Sequence, residues 1–193
     1  NKVNTGKKRE QFVRQNKSKN PLLISLIVLA VLIGGFILAG SIQPAEESLS
    51  NNIVTSERSY VGRVVEMTAV TPTIEGEWVN ISLAQLEEHE IVYFELENDE
   101  GFLVPLMAYI TPSGNIFTGS SMCEPCRGRY FSLAGETLVC NTCRTTYTIE
   151  DRQFISGSEA CGAYPPVAMY SQFENGLVKI ALDEILSWRI RAF

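Results

Sequence analysis

Two hydrophobic rhythms divide this chain. From Leu22 to Ile42 the sequence runs 21 residues without a charge and with only two serines. A helix of that length rises about 30 Å, enough to cross the hydrocarbon core of a bilayer. Helices packed inside a soluble core are rarely apolar on every side for so long, so the run is expected to be a membrane span at 21–42. From Tyr60 the rhythm changes to short strands. Tyr60 to Val70 is rich in valine, Glu77 to Leu83 is a short alternating run, and Ile91 to Leu96 alternates apolar and acidic positions, which suits half-buried strands. A helical turn, Ala84 to His89, separates the last two. Gly101 to Ile110 predicts another strand, closed by the turn residues Thr111-Pro112-Ser113-Gly114 before Asn115 to Thr118. Near the end, Val178 to Leu182 predicts a strand. Asp183 to Ile190 predicts a short amphipathic helix with Ile185, Leu186 and Trp188 free to pack. The fold class expected is therefore mainly β: a small antiparallel sandwich or barrel-like sheet, plus a membrane helix before it and a short helix after it.

Charge orients the span. Residues 1–20 carry seven basic residues against Glu10, a net charge of +6, which leaves nine basic and 21 acidic residues, a net charge of −12, for the rest. Basic residues flanking a span stay on the cytoplasmic side. Residues 1–20 thus read as a cytoplasmic tail, residues 43–58 as a polar, turn-rich tether, and residues 59–193 as an extracytoplasmic domain. The apolar run is longer than a signal-peptide core, and no cysteine directly follows it, so a retained anchor is expected rather than a cleaved leader or a lipoprotein. An acidic outer domain is a poor partner for nucleic acid, and the basic tail suits anionic lipid headgroups instead.

The chemistry lies in five cysteines, all between residues 123 and 161. Cys123-Glu-Pro-Cys126 and Cys140-Asn-Thr-Cys143 are separated by thirteen residues, and Cys161 follows after seventeen more. Each C-x-x-C knuckle aims two sulfurs at one point, and the segment between can fold back around Ala134-Gly135-Glu136 so that all four converge. Arg127, Arg129, Arg144 and Arg152 cluster here, and guanidinium groups favour thiolates over thiols. The single histidine, His89, lies far upstream. A Rieske centre, which needs two histidines, is therefore excluded. Haem attachment is excluded too, because Arg127 and Arg144 stand where C-x-x-C-H needs histidine. Tetrahedral zinc, an iron–sulfur cluster and disulfides all remain consistent with the spacing, although five is an odd number and a C-x-x-C disulfide closes too small a loop to stabilise much. Thiol–disulfide exchange has less support, since neither knuckle opens a helix in a βαβ pattern. No serine–histidine–acid constellation and no phosphate-binding glycine loop occur, so hydrolytic chemistry is not expected.

The order of these features resembles a known family, the FtrD-like membrane iron–sulfur proteins. The resemblance covers about residues 79–186. It runs through Leu106 to Thr118, the first knuckle, the Gly135 to Cys143 stretch (Gly-x-x-Leu-Val-Cys-x-x-Cys), Tyr147 to Ile149, and the turn from Cys161 to Pro166. Ser121-Met122 stands where the family usually has an aspartate, and the turn around Cys161 departs from its Gly-Gly-Cys-Asn-Pro-like pattern. The resemblance implies an extracytoplasmic iron–sulfur protein held by Cys123, Cys126, Cys140 and Cys143, with Cys161 as a nearby or alternate ligand. It also implies an electron-transfer or metal-handling role, short of enzymatic activity, beside other membrane redox or transporter subunits such as those of iron uptake. The rival reading is an accessory subunit in which Zn2+ clips a zinc-ribbon-like insertion and the β surface docks onto a membrane complex.

Overall fold

Every second residue of one strand, Leu103–Ile110, faces one hydrophobic core while its neighbours face another, and this double burial organises the domain. The computed structural model describes residues 55–191, all within the unit Ser48–Phe193 of the two into which the chain divides. The predicted span at 21–42 lies outside the described residues. No helix among those described is long and apolar enough to cross a membrane.

The elements follow in the order β1 (Val64–Glu66), β2 (Thr68–Ala69), β3 (Thr73–Glu75), β4 (Trp78–Ser82), α1 (Leu83–His89), β5 (Ile91–Glu97), β6 (Leu103–Ile110) and β7 (Ile116–Ser120). Then come β8 (Phe131–Ala134), β9 (Thr137–Cys140), β10 (Thr146–Thr148), β11 (Phe154–Ser156), α2 (Glu159–Gly162), β12 (Ser171–Glu174), β13 (Leu177–Ala181) and α3 (Leu182–Ser187). They build three sheets with strand orders β2-β5-β6-β7, β12-β13-β4-β3 and β1-β8-β9-β10-β11. Pairing is antiparallel except for the parallel pair β2–β5.

The β2-β5-β6-β7 sheet is the middle layer. Side chains alternate across a strand, so Val92, Phe94, Val104, Leu106, Ala108, Ile110 and Ile116 point one way and meet Val79, Ile81, Val178 and Ile180 of the β12-β13-β4-β3 sheet. Helices α1 and α3 close that core through Leu86 and Ile185. Ile91, Met107, Tyr109 and Phe117 point the other way, onto Phe131, Leu133, Leu138, Cys140 and Tyr147 of the third sheet. This explains why seven of the eight β6 residues are buried in succession: a strand covered on both faces reads as a continuous apolar run.

The architecture is mainly β, as the pattern predicts, but the cysteine segment is not an insertion. Its hairpin β8–β9 lies between β10 and β1, and one whole face of it packs on the central sheet. The cysteines belong to a layer of the fold. Ahead of β1 the chain is held to the central sheet: the Thr55 N–H donates to the Gly114 carbonyl at 2.6 Å, and the Arg58 N–H donates to the Pro112 carbonyl at 3.0 Å. Both acceptors lie in the β6–β7 turn.

Candidate metal centre

The two knuckles are built alike. In the first, the Cys123 N–H donates to the Gly128 carbonyl at 2.8 Å, and in the second the Cys140 N–H donates to the Thr145 carbonyl at 2.9 Å. Each loop closes only because the residue after its second cysteine turns left-handed: φ is 60° at Arg127 and 62° at Arg144. Side-chain-bearing residues adopt this region rarely. Gly128 is required for a different reason. A Cβ there would lie 2.9 Å from the Cys140 sulfur and 2.7 Å from the Thr142 hydroxyl, so its bare backbone lets the knuckles touch. The hairpin β8–β9 joins them, with Phe131 opposite Cys140 in register.

Their sulfurs converge. Cys123 and Cys143 Sγ are 3.7 Å apart, and Cys126 and Cys140 Sγ are 3.8 Å apart. Cys161, far away in the sequence, arrives on α2. The Tyr147 hydroxyl donates to its carbonyl at 2.7 Å, and Thr145 ties the segment down by accepting from the Ser158 N–H at 3.2 Å while contacting the Cys143 sulfur at 3.2 Å. The sulfurs of Cys123, Cys126, Cys143 and Cys161 all lie within 4.8 Å of one another. Cys140 touches that group through Cys126 but is not one of the mutually close four. All five predicted residues therefore meet in one place, with Cys161 inside the group rather than beside it.

The thiols tune one another. Cys140 is lowered to about 5, chiefly by the hydrogen bond it receives from Cys123, with the Cys143 and Thr142 N–H groups adding to it. Cys123 is pushed up by that same bond and then by burial. Burial raises Cys126 to about 12. At Cys161 burial opposes ionisation, but hydrogen bonds from Ser158 and from Cys123 outweigh it and hold the thiol low. Such convergence of soft donors suits a thiophilic metal.

A family model described as "membrane iron-sulfur containing protein FtrD-like" matches residues 86–191, from α1 to the last described residue. The chain belongs to the FtrD-like family. No curated protein matches it. The family's description names an iron–sulfur group, and the donors here fit one: thiolates are the usual ligands of such centres. The spacing adds a constraint. Thiolates around one tetrahedral ion at a metal–sulfur distance of about 2.3 Å lie about 3.8 Å apart, which is the separation seen in both close pairs.

Two expectations change. Arg129 does not serve the thiols: it pairs with Glu95 at 2.5 Å and donates to the Leu103 carbonyl. Arg152 lies 4.3 Å over the Phe117 ring. Ionisation here is governed by burial, by the thiols themselves and by backbone N–H groups. Glu124 was also missed. It stands inside the first knuckle, its side chain has no exposed surface, and Arg191 holds it with Nε at 2.7 Å from Oε1. An acid directly after a metal-site cysteine is a readable oddity, whereas its partner 67 residues away left no local trace.

Proposed function

We propose that this FtrD-like protein is a single-pass membrane protein whose extracytoplasmic domain carries electrons, or handles metal, for a membrane transport system through a centre held by Cys123, Cys126, Cys140, Cys143 and Cys161. The observation that carries this reading is the meeting of five thiols supplied by three separate chain segments. The anchor and its orientation rest on the 22–42 run and on the basic residues before it. When bound, an iron centre would supply one-electron chemistry. The chain's part is to fix the thiols, keep the site half dry and supply N–H groups to sulfur, the features that set a reduction potential. Other redox or transporter subunits of the membrane are the expected partners. Protein purified without oxygen should be coloured, contain iron in fixed ratio to the chain and change its EPR signal on reduction. Acid-labile sulfide then separates a cluster from a single thiolate-bound iron. A colourless protein with stoichiometric zinc would sink the electron-transfer role.

A second reading is favoured by the mutual closeness of the Cys123, Cys126, Cys143 and Cys161 sulfurs: one structural Zn2+ in an accessory subunit that docks through its β surface. Under it, Cys140→Ser unfolds the third layer and leaves no redox signal to lose.

A further inference from the structure

Cys161 is the one cysteine outside the knuckles, so its distance from the other four depends on contacts between remote segments. Its tie to the second knuckle is already described: Thr145 contacts both Cys143 and Ser158. Its tie to the first knuckle runs through Arg191. The Arg191 guanidinium donates from Nε to Glu124 Oε1 at 2.7 Å and from Nη2 to the Pro165 carbonyl at 2.8 Å, and the Arg191 main-chain N–H donates to Glu124 Oε2. Glu124 lies between Cys123 and Pro125 in the first knuckle, and Pro165 closes the turn that begins at Cys161. The guanidinium also lies 5.6 Å over the Tyr164 ring.

We infer that Arg191 is a positioning residue for the thiolate centre, setting the separation of the Cys123/Cys126 knuckle from Cys161. This rests on the metal-centre reading above. A guanidinium suits the task because its donors form a rigid planar fork, so the two segments it grips cannot slide independently. The carboxylate it grips is fully buried, so loss of its cation would leave a costly buried charge. The equivalent position of the second knuckle is fixed differently. Asn141 donates to Glu66 at 2.9 Å and accepts from Ser132 at 2.8 Å, contacts within its own sheet. Only the first knuckle borrows its hold from the end of the described chain, and the same residue reaches the Cys161 turn.

The test uses the full chain and titrates Zn2+ and Co2+ against a chromophoric chelator, with the Co2+ absorption bands reporting thiolate geometry. Arg191→Gln should weaken metal binding about 10–100-fold, the usual loss when a partner that orients ligands is removed. It should also alter the Co2+ bands and make Cys161 the fastest-alkylated thiol of the loaded protein. Arg191→Lys keeps the charge and the fold but not the fork, and should still change the bands. Adding Glu124→Gln to Arg191→Gln should restore melting temperature without restoring affinity. Wild-type affinity and bands in Arg191→Lys, or full recovery of affinity in the double variant, would overturn the inference, since the pair would then only neutralise a buried charge. Should Arg191→Gln fail to fold, Arg191→Lys decides alone. A wild-type chain that binds no metal overturns the metal-centre reading and this one together, whereas normal wild-type binding with an indifferent Arg191 overturns only this one.

Discussion

The two faces of the central sheet are packed on different principles. One meets a mainly aliphatic layer, Val79, Ile81, Val178 and Ile180, whose buried polar contact is the Thr118–Ser171 hydroxyl pair at its margin. The other meets the cysteine layer and is lined with tyrosines whose hydroxyls each find a carbonyl. Tyr60 reaches Ile110 at 2.6 Å, Tyr109 reaches Ile149 at 2.9 Å, and Tyr147 reaches Cys161 at 2.7 Å. Apolar packing tolerates small shifts of volume, whereas buried hydrogen bonds and thiols converging on one point do not. The first face therefore supplies stability, and the second supplies position. Stability of the second face is expected to be tied to metal, because ligands gathered from three segments couple binding to folding.

The sharpest break of this comparison is Cys123→Ser. It should lower metal affinity by more than about 100-fold, beyond the loss caused by removing an orienting partner, and should lower the melting temperature of the metal-loaded protein, as checked by metal analysis and calorimetry. Next in size is Ile180→Ala on the aliphatic face. A large-to-small change in such a core costs about 2–5 kcal/mol, read by denaturant unfolding, while the metal-to-chain ratio stays unchanged. If Ile180→Ala also stripped the metal, the two faces would not be separable.

Smaller again is Tyr147→Phe, which removes the shorter of the hydrogen bonds to the Cys161 carbonyl and leaves that from the Tyr164 N–H at 3.1 Å; it should cost about 0.5–1.5 kcal/mol. Unlike Ile180→Ala, it should also shift the spectrum of the metal-loaded centre. The smallest effect concerns Glu150 at the margin of the second face. Burial opposes its ionisation, but hydrogen bonds from Ser113 and Thr111 outweigh it and hold the carboxyl below its ordinary value. Its contribution to stability is therefore fully present above the unfolded-state value and is lost as pH falls through the lower folded-state value. Glu150→Gln should flatten that part of the acid limb in a pH series of melting curves and leave neutral pH nearly unchanged.

Much of the fold was legible because its signals are local. The alternation at Ile91 to Leu96, the turn at Thr111 to Gly114 and the reversal at Ala134-Gly135-Glu136 all fall where the strands and turns are. The short helix at the end begins one residue earlier than expected and stops at Ser187, with Ile185 and Trp188 buried as anticipated. One strand was missed despite a clear sign. Asn175-Gly176, with φ of 54° and 76°, is the pair that a two-residue hairpin turn demands, and it announces β12 as the partner of Val178 to Leu182. Strands β3 and β11 are three residues each, too short to show a period. The unbroken apolar run of β6 carried the three-layer arrangement, since only a strand covered on both sides can afford it. At the site, the doubled spacing of the knuckles pointed to four thiols that the fold brings close together. The place of Cys161 depends on Tyr147, Thr145 and Arg191, contacts between distant segments that no spacing encodes.

The entry of the chain has a mechanical consequence. A pull transmitted along the chain from residue 54 does not reach the cysteine layer first. It loads the Thr55–Gly114 and Arg58–Pro112 hydrogen bonds, whose acceptors sit on the turn joining two strands of the central sheet. Beyond them Tyr60, buried with its hydroxyl on the Ile110 carbonyl, holds the segment to the same sheet before β1, the edge strand of the layer that holds the thiols. These holds pass a load applied at Thr55 to the central sheet before it reaches the layer of the sulfurs.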